Sequence, residues 1–426
     1  MWYEKIKEAA KNFTVFLAYN ANIDAIVDVK EIERLFSYQD YLEADGREPV
    51  TIDTREDLLA AILNSMRTGI GSELRISKEV GEWLKRNVTI KERRMGGQIG
   101  IMANMLARLG FNCLVYFPLL SREQSELFVK RPNLKFLTPD GWKESGYYLE
   151  DAITKINWIF EFEKGEKIFD VVARDSSRFI AASRPDEDRI KSQLLESHID
   201  EINEISDVAI LSGYHDVKRE YSDSDYMEQI IAGEKVLKRI SVPKQLEFAS
   251  ISDVKIREAI VEHIARNVDV VDMDSSELRL ILEVLGEPIT EEGIIGEYKA
   301  MKTILERLNL KCVKMHKKHY FISVSKNYVG KESIEKGYEV ARGLCFARSM
   351  DLEETWENMR LSDNVEPSPI GIEEKKKLEE FIKNGNEFTV VVVPNKVNPD
   401  PKITVGLGDV VSGSSFVIEN LLERMK

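Results

Sequence analysis

The sequence predicts an α/β fold in which a mostly parallel sheet is covered by helices on both faces. From about residue 187 onward, short and almost wholly apolar strands alternate with amphipathic helical stretches, which is typical of parallel strands buried on both sides. The chain has 426 residues, of which 43% are hydrophobic, enough for one large α/β domain and a second unit. Residues 26–95 are charged and mostly helical by pattern, and they interrupt the alternation as an insertion or lid.

The first predicted strand, residues 14–17, runs directly into polar residues. Asn20, Asn22 and Asp24 follow it, and polar side chains at the end of a buried strand are costly unless something binds them. These residues are therefore candidates for contacting a ligand. Within the insertion, helices are predicted at residues 55–67 and 77–86.

A glycine pair opens the next predicted helix. Gly96 and Gly97 precede Gln98 and a run of small and apolar residues that ends at Leu109, and a strand is predicted at residues 113–117. Glycines at a helix start allow a ligand to approach the backbone closely, but tight packing of the helix on the sheet explains them equally well. Both interpretations stay open on these residues alone.

Residues 153–180 look like β-structure inside the alternating chain. Two strand-like runs, 156–162 and 167–173, are separated by turn-forming residues, which predicts a hairpin and hence a β-rich lid. Basic groups on a lid would suit an anionic substrate, whereas a solvated basic rim is the alternative for at least one of them. The basic residues around the predicted hairpin are Lys155, Arg174 and Arg178.

The second half of the chain contains a regular series of elements. Strands are predicted at residues 208–214, 245–250, 268–274, 311–324 (a pair interrupted by two lysines) and 387–394, and helices at residues 227–238, 253–266, 276–285 and 333–348. Ligands of parallel sheets gather at the carboxyl ends of the strands. The residues that the sequence places at the carboxyl ends of strands are Asn22, Gly213, Glu247, Asp274 and Gly406.

The stretch Gly406-Leu407-Gly408-Asp409 is the strongest candidate for chemistry. A β-branched run, 403–405, precedes it and an amphipathic segment, 416–425, follows it, so we predict a strand, a tight turn and a helix. Glycines permit close approach, and the N–H groups at a helix start attract phosphate. An aspartate beside a phosphate suggests a base that takes a proton from a substrate hydroxyl, although a simple helix cap explains Asp409 as well.

Composition argues against several classes of function. Sixty Lys+Arg against 74 Asp+Glu give a net charge of −14, which disfavours a non-specific binder of nucleic acid or of anionic membranes.

The three cysteines, Cys113, Cys312 and Cys345, are far apart in apolar surroundings, so we expect free buried thiols. The first 13 residues lack a signal-peptide pattern and no apolar run is long enough to span a membrane, so a cytoplasmic location is expected.

Acidic residues at neighbouring strand ends suggest a magnesium site. Glu247 lies in one predicted strand, and Glu277 follows Asp274 where the next strand leads into a helix. Carboxylates that do not touch phosphate directly can hold a hydrated Mg²⁺. A zinc site has little support, because His316 and His319 are three residues apart on a strand-like run.

Phosphoryl transfer from a nucleotide to an alcohol uses the glycine turns, the aspartate and the acidic residues together. The sequence has no Walker A motif and no protein-kinase glycine loop.

Five motifs carry a resemblance when they are taken together and in order. They are residues 20–25, 96–104, 156–162, 211–214 and 406–409. Together they resemble the archaeal ADP-dependent phosphofructokinase and glucokinase family, a branch of the ribokinase-like kinases. The glycine-aspartate turn alone occurs throughout that superfamily, whereas the asparagine and double-glycine motifs are specific to the ADP-dependent branch.

The resemblance implies a ribokinase-like three-layer α/β/α domain that holds ADP, with a mostly parallel central sheet, and a smaller β-rich lid that closes over the sugar. We assign residues 1–21, 96–150 and 182–426 to the large domain and residues 22–95 and 151–181 to the lid. The implied reaction transfers the β-phosphate of ADP to a sugar hydroxyl and gives AMP, most simply from fructose 6-phosphate to fructose 1,6-bisphosphate.

The resemblance also implies a role for each site residue. Asp409 matches the catalytic base, and Gly406 and Gly408 match the anion hole. The residues that match positions binding sugar hydroxyls are Asn22, Asp24, Gly96, Gly97 and Gln98, and those that match positions binding a phosphate already on the substrate are Lys155 and Arg178. The matches to nucleotide-binding positions are Gly213, His316 and Gly406. The matches to Mg²⁺-binding positions are Glu247 and Glu277.

Departures from the family pattern leave the acceptor open. Gln245 stands where the family usually has His, and Lys317 and Lys318 replace neutral residues. Ribose 1-phosphate or glucose as acceptor, and a non-catalytic nucleotide or sugar sensor, stay as alternatives. The choice of ADP over ATP rests on the resemblance alone. We expect small-molecule partners and no nucleic-acid or membrane partner, with the oligomeric state open.

Overall fold

The computed structural model describes residues 2–217, 223–383, 385 and 387–426. The strands are β1 Thr14–Tyr19, β2 Asn22–Asp28, β3 Ser72–Ile76, β4 Glu92–Gly96, β5 Asn112–Tyr116, β6 Leu134–Thr138, β7 Gly141–Glu144, β8 Ile156–Phe162, β9 Lys167–Ile168, β10 Val171–Val172, β11 Ser177–Ser183, β12 Val208–Ser212, β13 Lys244–Glu247, β14 Val270–Met273, β15 Cys312–His316, β16 Tyr320–Ser325 and β17 Thr389–Pro394. The α-helices are α1 Trp2–Ala10, α2 Glu31–Leu35, α3 Tyr38–Ala44, α4 Arg55–Thr68, α5 Lys78–Asn87, α6 Gln98–Leu109, α7 Arg122–Leu127, α8 Gln193–Ile205, α9 Asp223–Arg239, α10 Val254–Ala259, α11 Ser275–Leu285, α12 Gly293–Leu308, α13 Lys331–Ser349, α14 Trp356–Met359, α15 Pro369–Ile382 and α16 Leu407–Arg424. Short 3-10 or π turns cover Tyr214–Asp216, Ile260–Ile264, Ala265–Asn267 and Arg360–Asn364.

A ten-stranded sheet forms the centre of the larger part of the molecule, in the order β17-β16-β15-β14-β13-β12-β1-β5-β6-β7. The strands from β15 across to β6 run parallel to one another. Antiparallel pairs add β16 and β17 at one edge and β7 at the other. The predicted mostly parallel central sheet is therefore confirmed.

Helices cover both faces of this sheet. Side chains alternate along β1, where Phe16 and Ala18 belong to one apolar core and Val15 and Leu17 to the other. The first core is shared with α8 to α12, and the second with α1, α6, α13 and α16. The three-layer α/β/α architecture is therefore confirmed.

A second, five-stranded sheet has the order β3-β11-β8-β2-β4. Its apolar face packs against α2 to α5 around Trp158, Phe160 and Phe179. The strands come from residues 22–96 and 156–183, which overlap the two stretches assigned to the lid. The exact bounds of the two domains stay a prediction.

The predicted hairpin between residues 156–162 and 167–173 is wrong. β8 pairs antiparallel with β11, with Phe160 opposite Phe179, and parallel with β2. β9 ends after two residues because Phe169 takes a φ of 49°, and β9 and β10 form a small sheet of their own. The turn chemistry was recognised correctly, but the partner of β8 lies further along the chain.

The predicted strand at residues 403–405 is also wrong. Pro399 and Pro401 lie just before it and cannot donate the hydrogen bonds of a strand ladder. The segment instead lies against the end of α13, where the N–H of Lys402 donates to the carbonyl oxygen of Ser349 at 2.8 Å. Helix α16 then begins at Leu407, directly at the glycine turn, rather than at residue 416.

The three cysteines are buried free thiols, as expected. Burial raises the pKa of the Cys345 thiol to about 12, so the thiol stays protonated near neutral pH. Among the described residues, no helix combines the length and the apolar character needed to cross a membrane.

Candidate active site

A polar cluster lies where the chain passes from the first sheet to the second. Nδ2 of Asn22 donates a hydrogen bond to Oδ1 of Asp24 at 2.7 Å. Gly96 pairs with Asn22 across β2 and β4, and a Cβ on it would lie 2.1 Å from Oδ1 of Asp24. Burial raises the pKa of Asp24 to about 7, although the hydrogen bond from Asn22 acts in the opposite sense. These three residues form one surface able to bind hydroxyl groups.

Asn20 connects this cluster to the glycine pair and to β12. Its Nδ2 donates to Oε1 of Gln98 at 2.6 Å. Gly97 has a φ of 75°, and a Cβ on it would lie 2.8 Å from the carbonyl oxygen of Asn20. A Cβ on Gly213 would lie 2.7 Å from Cβ of Asn20. Both glycines are therefore needed for the backbone to approach Asn20 closely.

Lys155 is the last residue before β8 and is 1% exposed. Its Nζ donates to Oδ1 of Asn20 at 3.0 Å and to Oδ2 of Asp216 at 2.5 Å, and Oδ2 of Asp188 lies 2.6 Å from it. Burial alone would raise the pKa of Asp216, but the charges of Arg184 and Lys155 hold it well below its usual range. Lys155 thus adjoins the polar cluster, but two carboxylates already balance its charge.

Arg178, on β11, reaches from the second sheet to the loop before the glycine turn. Its Nη1 donates to Oγ1 of Thr404 at 3.2 Å. Within the described part of the chain, no carboxylate lies at ion-pair distance from Arg178, so its charge stays available for an anion. Arg174, the third basic residue predicted here, is exposed on the preceding loop.

The glycine turn stands at the start of α16. Gly406 has a φ of 74°, which favours glycine, and a Cβ on it would lie 2.7 Å from Nη2 of Arg348. Nε of Arg348 donates to the carbonyl oxygen of Val405 at 3.0 Å and so fixes the turn. The first N–H groups of a helix have no acceptor within it. With a guanidinium beside them, they form a site for an anion.

Asp409 lies in the first turn of α16. Part of its surface stays open, yet the surrounding protein desolvates the carboxylate and raises its pKa to about 6. The positive charges of Arg348 and His316 limit the rise. Asp409 is therefore mostly ionised at neutral pH and basic enough to accept a proton from a hydroxyl group.

His316, at the end of β15, lies on the other side of the turn. Its Nδ1 is 3.1 Å from Oδ1 of Asp272, and a Cβ on Gly408 would lie 2.5 Å from its Nε2. Burial alone would lower the pKa of His316, but the hydrogen bond and charge of Asp272 raise it to about 9. The imidazole is therefore positively charged at neutral pH and directs Nε2 towards the turn.

Adjacent strands place a row of charged side chains beneath α16. Glu247 on β13 lies opposite Asp272 on β14, and Asp272 lies opposite Lys314 on β15. The hydroxyl of Ser412, on α16, donates to Oε2 of Glu247. Nε2 of Gln245 donates to that hydroxyl at 2.9 Å. The sheet and the helix that carries Asp409 are thus joined by buried hydrogen bonds.

The predicted magnesium residues, Glu247 and Glu277, lie in this acidic region. Burial, followed by the charges of Asp272, Asp409 and Glu277, raises the pKa of Glu247 well above its usual range. Burial and the charge of Asp274 raise the pKa of Glu277 to about 8. A cation would relieve this repulsion. Among the described residues, no group of three His, Cys, Asp or Glu side chains could hold a metal ion directly. Carboxylate oxygens such as those of Glu247 and Glu277 are the type of group to which a hydrated Mg²⁺ binds.

A cavity of about 620 Å³ opens beside the turn. Its lining combines basic and apolar side chains, as the phosphates and base of a nucleotide require. Gly213 is not part of that lining and packs on Asn20 instead, so its placement does not support its predicted contact with the nucleotide. Residues that line the cavity include Asp274, His316, Lys317, Lys318, Phe321, Phe346, Lys396, Val397, Leu407 and Gly408.

Four residues that shape this site could not be identified as site residues from the sequence. Arg348 lies in the last turn of a long helix, and only the fold brings it to Gly406. Asp272 was recognised as part of a strand end but not as the partner of His316. Asp188 lies in a loop and Asp216 in a short 3-10 turn, and no local pattern marks either residue as a partner of Lys155.

The molecule has a mostly parallel sheet, a smaller sheet beside the carboxyl edge of the first, and a glycine-aspartate turn at a helix start. Together these features define a ribokinase-like kinase, an enzyme that transfers a phosphoryl group to an alcohol. Residues 13–418 match the model of the ADP-specific Phosphofructokinase/Glucokinase conserved region. The chain therefore belongs to the ADP-specific phosphofructokinase/glucokinase family. The family and the kinase class predicted from the sequence are confirmed.

Relatives and solved structures agree with this assignment. The ADP-specific phosphofructokinase of Thermococcus litoralis is 33% identical over 437 residues, which cover 94% of this chain and 95% of that protein. A hypothetical ADP-dependent phosphofructokinase from Pyrococcus horikoshii matches with a TM-score of 0.86 and 28% identity, over 98% of this chain and all of the other. An ADP-dependent kinase in complex with fructose-6-phosphate and ADPβS matches with a TM-score of 0.84 and 31% identity, over 100% of this chain and 97% of the other.

Proposed function

We propose that this protein transfers the β-phosphate of ADP to fructose 6-phosphate and forms fructose 1,6-bisphosphate and AMP. The observation that carries the proposal is the match, over the whole chain, to a kinase whose solved complex contains fructose-6-phosphate and ADPβS. Asp409, the glycine turn and the hydroxyl-binding cluster supply the parts that this reaction needs. We also propose a cytoplasmic location and the two-domain division given above.

In the proposed mechanism, the acceptor hydroxyl lies against Asn22, Asp24 and Gly96 while Asp409 takes its proton. The hydroxyl oxygen forms a bond to the β-phosphorus of ADP, and the bond from that phosphorus to the bridging oxygen breaks. AMP leaves with the bonding electrons. The N–H groups at the start of α16 and the positive charges of Arg348 and His316 offset the charge of the transferred group.

Glu247 and Glu277 would hold a hydrated Mg²⁺ by accepting hydrogen bonds from the water molecules bound to the ion. When bound, Mg²⁺ would offset the negative charge of the diphosphate. The hydroxyl of Ser412 donates a hydrogen bond to one carboxylate oxygen of Glu247 and keeps it in place. The backbone N–H of Asp274 donates a hydrogen bond to one carboxylate oxygen of Glu277 at 2.8 Å and keeps that oxygen in place. The remaining oxygens of the two glutamates are free to accept hydrogen bonds from water.

A second acceptor, an unphosphorylated sugar such as glucose, is favoured by one observation. The charge of Lys155, one of the two basic residues assigned to the acceptor phosphate, is balanced by Asp188 and Asp216. Arg178 keeps its charge available, which favours a phosphorylated acceptor. A non-catalytic sensor is disfavoured, because a binding protein needs neither Asp409 nor the acidic row.

A donor-by-acceptor activity matrix tests the proposal. ADP and ATP are each combined with fructose 6-phosphate, glucose, ribose 1-phosphate and ribose 5-phosphate, in the presence of Mg²⁺. We expect phosphorylation of the acceptor to be fastest with ADP and fructose 6-phosphate, and AMP to be the nucleotide product. Asp409→Asn should lower kcat by about 10²- to 10⁴-fold while ADP still binds, because the general base is lost. AMP formed at the wild-type rate by this variant, or faster turnover of another pair, contradicts the proposal.

A further inference from the structure

The chain enters the second sheet at Lys155 and leaves it at Arg184, and a cluster of opposite charges joins both residues to the larger sheet. Asp216, which follows β12, lies 2.5 Å from Nζ of Lys155 and 2.5 Å from Nε of Arg184. Asp188 lies 2.6 Å from Lys155. Arg184 also pairs with Glu73, 2.5 Å away, so two cations and three carboxylates form this cluster at the edge of the acceptor site.

The two aspartates are not equivalent. Asp216 accepts a hydrogen bond from Lys155 and also pairs with Arg184. Asp188 has one ion-pair partner among the described residues, Lys155, and its close oxygen is not aligned as a hydrogen-bond acceptor. Its side chain is 10% exposed, against 5% for Asp216. Asp188 is thus held by charge alone and is the carboxylate that can be displaced at lower cost.

Asp188 is also the most exposed of the charged groups that surround the Lys155 ammonium, with 10% of its side chain exposed against 5% for Asp216 and 1% for Lys155 itself. Lys155 donates hydrogen bonds to Asn20 and Asp216, and Asp188 is its third polar neighbour, at 2.6 Å. A phosphate oxygen and a carboxylate oxygen have the same hydrogen-bonding chemistry. An acceptor that carries a phosphate and is held by the cluster around Asn20 would therefore compete with Asp188 for the charge of Lys155.

We propose that Asp188 is a specificity-determining residue that competes with the phosphate of the acceptor for Lys155 and so weakens binding of phosphorylated sugars. The inference rests on the proposed function, since it concerns a phosphosugar acceptor. Asp188 repels a phosphate by its charge and occupies the place of one of its oxygens. An acceptor without a phosphate leaves the ion pair intact and is indifferent to Asp188.

Asp188→Asn removes the charge and keeps the shape of the side chain. We expect the KM for fructose 6-phosphate to fall roughly five- to tenfold, because repulsion of a dianion is removed, with kcat within about twofold of wild type. Inhibition by inorganic phosphate should become stronger by a similar factor. Glu187→Gln removes the same charge from the exposed neighbouring residue and should change neither value. An unchanged KM and unchanged phosphate inhibition in Asp188→Asn overturn the inference.

The effect must also pass through Lys155. In a Lys155→Gln background, Asp188→Asn should lower the KM for fructose 6-phosphate much less than it does in wild type, because the competition for the ammonium is absent and only the direct repulsion remains. An equal fall in KM in the two backgrounds overturns the inference. If Lys155→Gln does not fold, Lys155→Arg keeps the charge, and Asp188→Asn should still lower the KM in that background.

Failure of this inference and failure of the proposed function give different results. If wild type phosphorylates fructose 6-phosphate and Asp188→Asn shows the same KM, only the inference fails. If wild type phosphorylates glucose and no phosphosugar, the proposed function fails, and with it the inference.

Discussion

Two side chains beside the glycine turn titrate on opposite sides of neutral pH. The pKa of Asp409 is about 6, and the carboxylate must be ionised to accept a proton, so activity should fall as the pH drops through that value. The pKa of His316 is about 9, so its positive charge is present below that pH and lost above it. We expect a plot of kcat against pH, at saturating substrates, to be highest between these two values.

Asp272→Asn tests the alkaline side of this profile. Burial lowers the pKa of His316, and Asp272 is the main group that raises it, so the pKa should fall in the variant although the charges of Glu277 and Asp274 remain. We expect the alkaline limb of kcat to move to lower pH than in wild type. Asp200→Asn, at an exposed aspartate on α8, should leave the profile unchanged. An alkaline limb that stays near the wild-type position in Asp272→Asn would contradict the assigned role of His316.

The residues of the site could be predicted from the sequence where a local pattern marks them. Gly97, Gly406 and Asp409 belong to turns whose chemistry is visible in consecutive residues. Arg348 and Asp272 could not be found in this way, because the residues that they contact are distant in sequence. The charge balance around Lys155 was missed for the same reason: a basic residue next to a predicted strand gives no sign of the carboxylates that will surround it.

At the level of the elements, α16 is held in place by a buried ion pair as well as by apolar packing. Lys314, on β15, and Glu419, on α16, are both 0% exposed and lie 2.8 Å apart. Lys314 also donates to the hydroxyl of Ser415 at 3.0 Å, and Tyr328 donates to Glu419 at 2.7 Å. Because the same helix carries Asp409 at its start, these contacts fix the axial position of the base relative to the sheet.

Lys314→Met should destabilise the protein strongly. It leaves the carboxylate of Glu419 buried without its cation, and breaking one side of such a pair costs about 3–5 kcal/mol. The free energy of unfolding, measured by urea denaturation, checks this value. The double variant Lys314→Met/Glu419→Leu removes both charges and should recover most of the loss.

A matched control is the exposed pair of Lys326 and Glu387, which lie 2.9 Å apart. Lys326→Met should leave the urea midpoint almost unchanged, because solvent screens an exposed pair. A similar midpoint for Lys314→Met and wild type would show that the buried pair contributes nothing to holding α16.

Most elements could be predicted from their periodicity, and the failures have physical causes. The alternation of strands and helices after residue 187 predicted the succession of these elements along the chain and the class of fold. The β-branched residues 403–405 have strand propensity, but prolines before them and a contact with the end of α13 keep them outside the sheet. The partner of β8 depends on non-local pairing, which turn residues cannot specify.

At the level of the whole molecule, Arg178 is the side chain that bridges the second sheet and the loop leading to the glycine turn. If it binds the phosphate of the acceptor, Arg178→Ala should raise the KM for fructose 6-phosphate by about 10-fold or more, since a charge-assisted hydrogen bond is lost. The KM for ADP should change little. Steady-state kinetics with each substrate varied in turn measure both values.

Arg174→Ala is the matched control for this prediction. Arg174 is an exposed arginine four residues earlier in the same stretch, so its removal changes the net charge equally and should not change either KM. Equal effects of the two variants would mean that Arg178 acts only through long-range charge.

The chain passes between the two sheets four times, after β1, after β4, before β8 and after β11. Four covalent connections limit how far the smaller sheet can move relative to the larger one. If the smaller sheet closes over a bound sugar, as the resemblance implies, these connections reduce the number of conformations that closure must remove. It also follows that the smaller sheet cannot be exchanged between relatives as one continuous segment: a working chimaera must replace both stretches together.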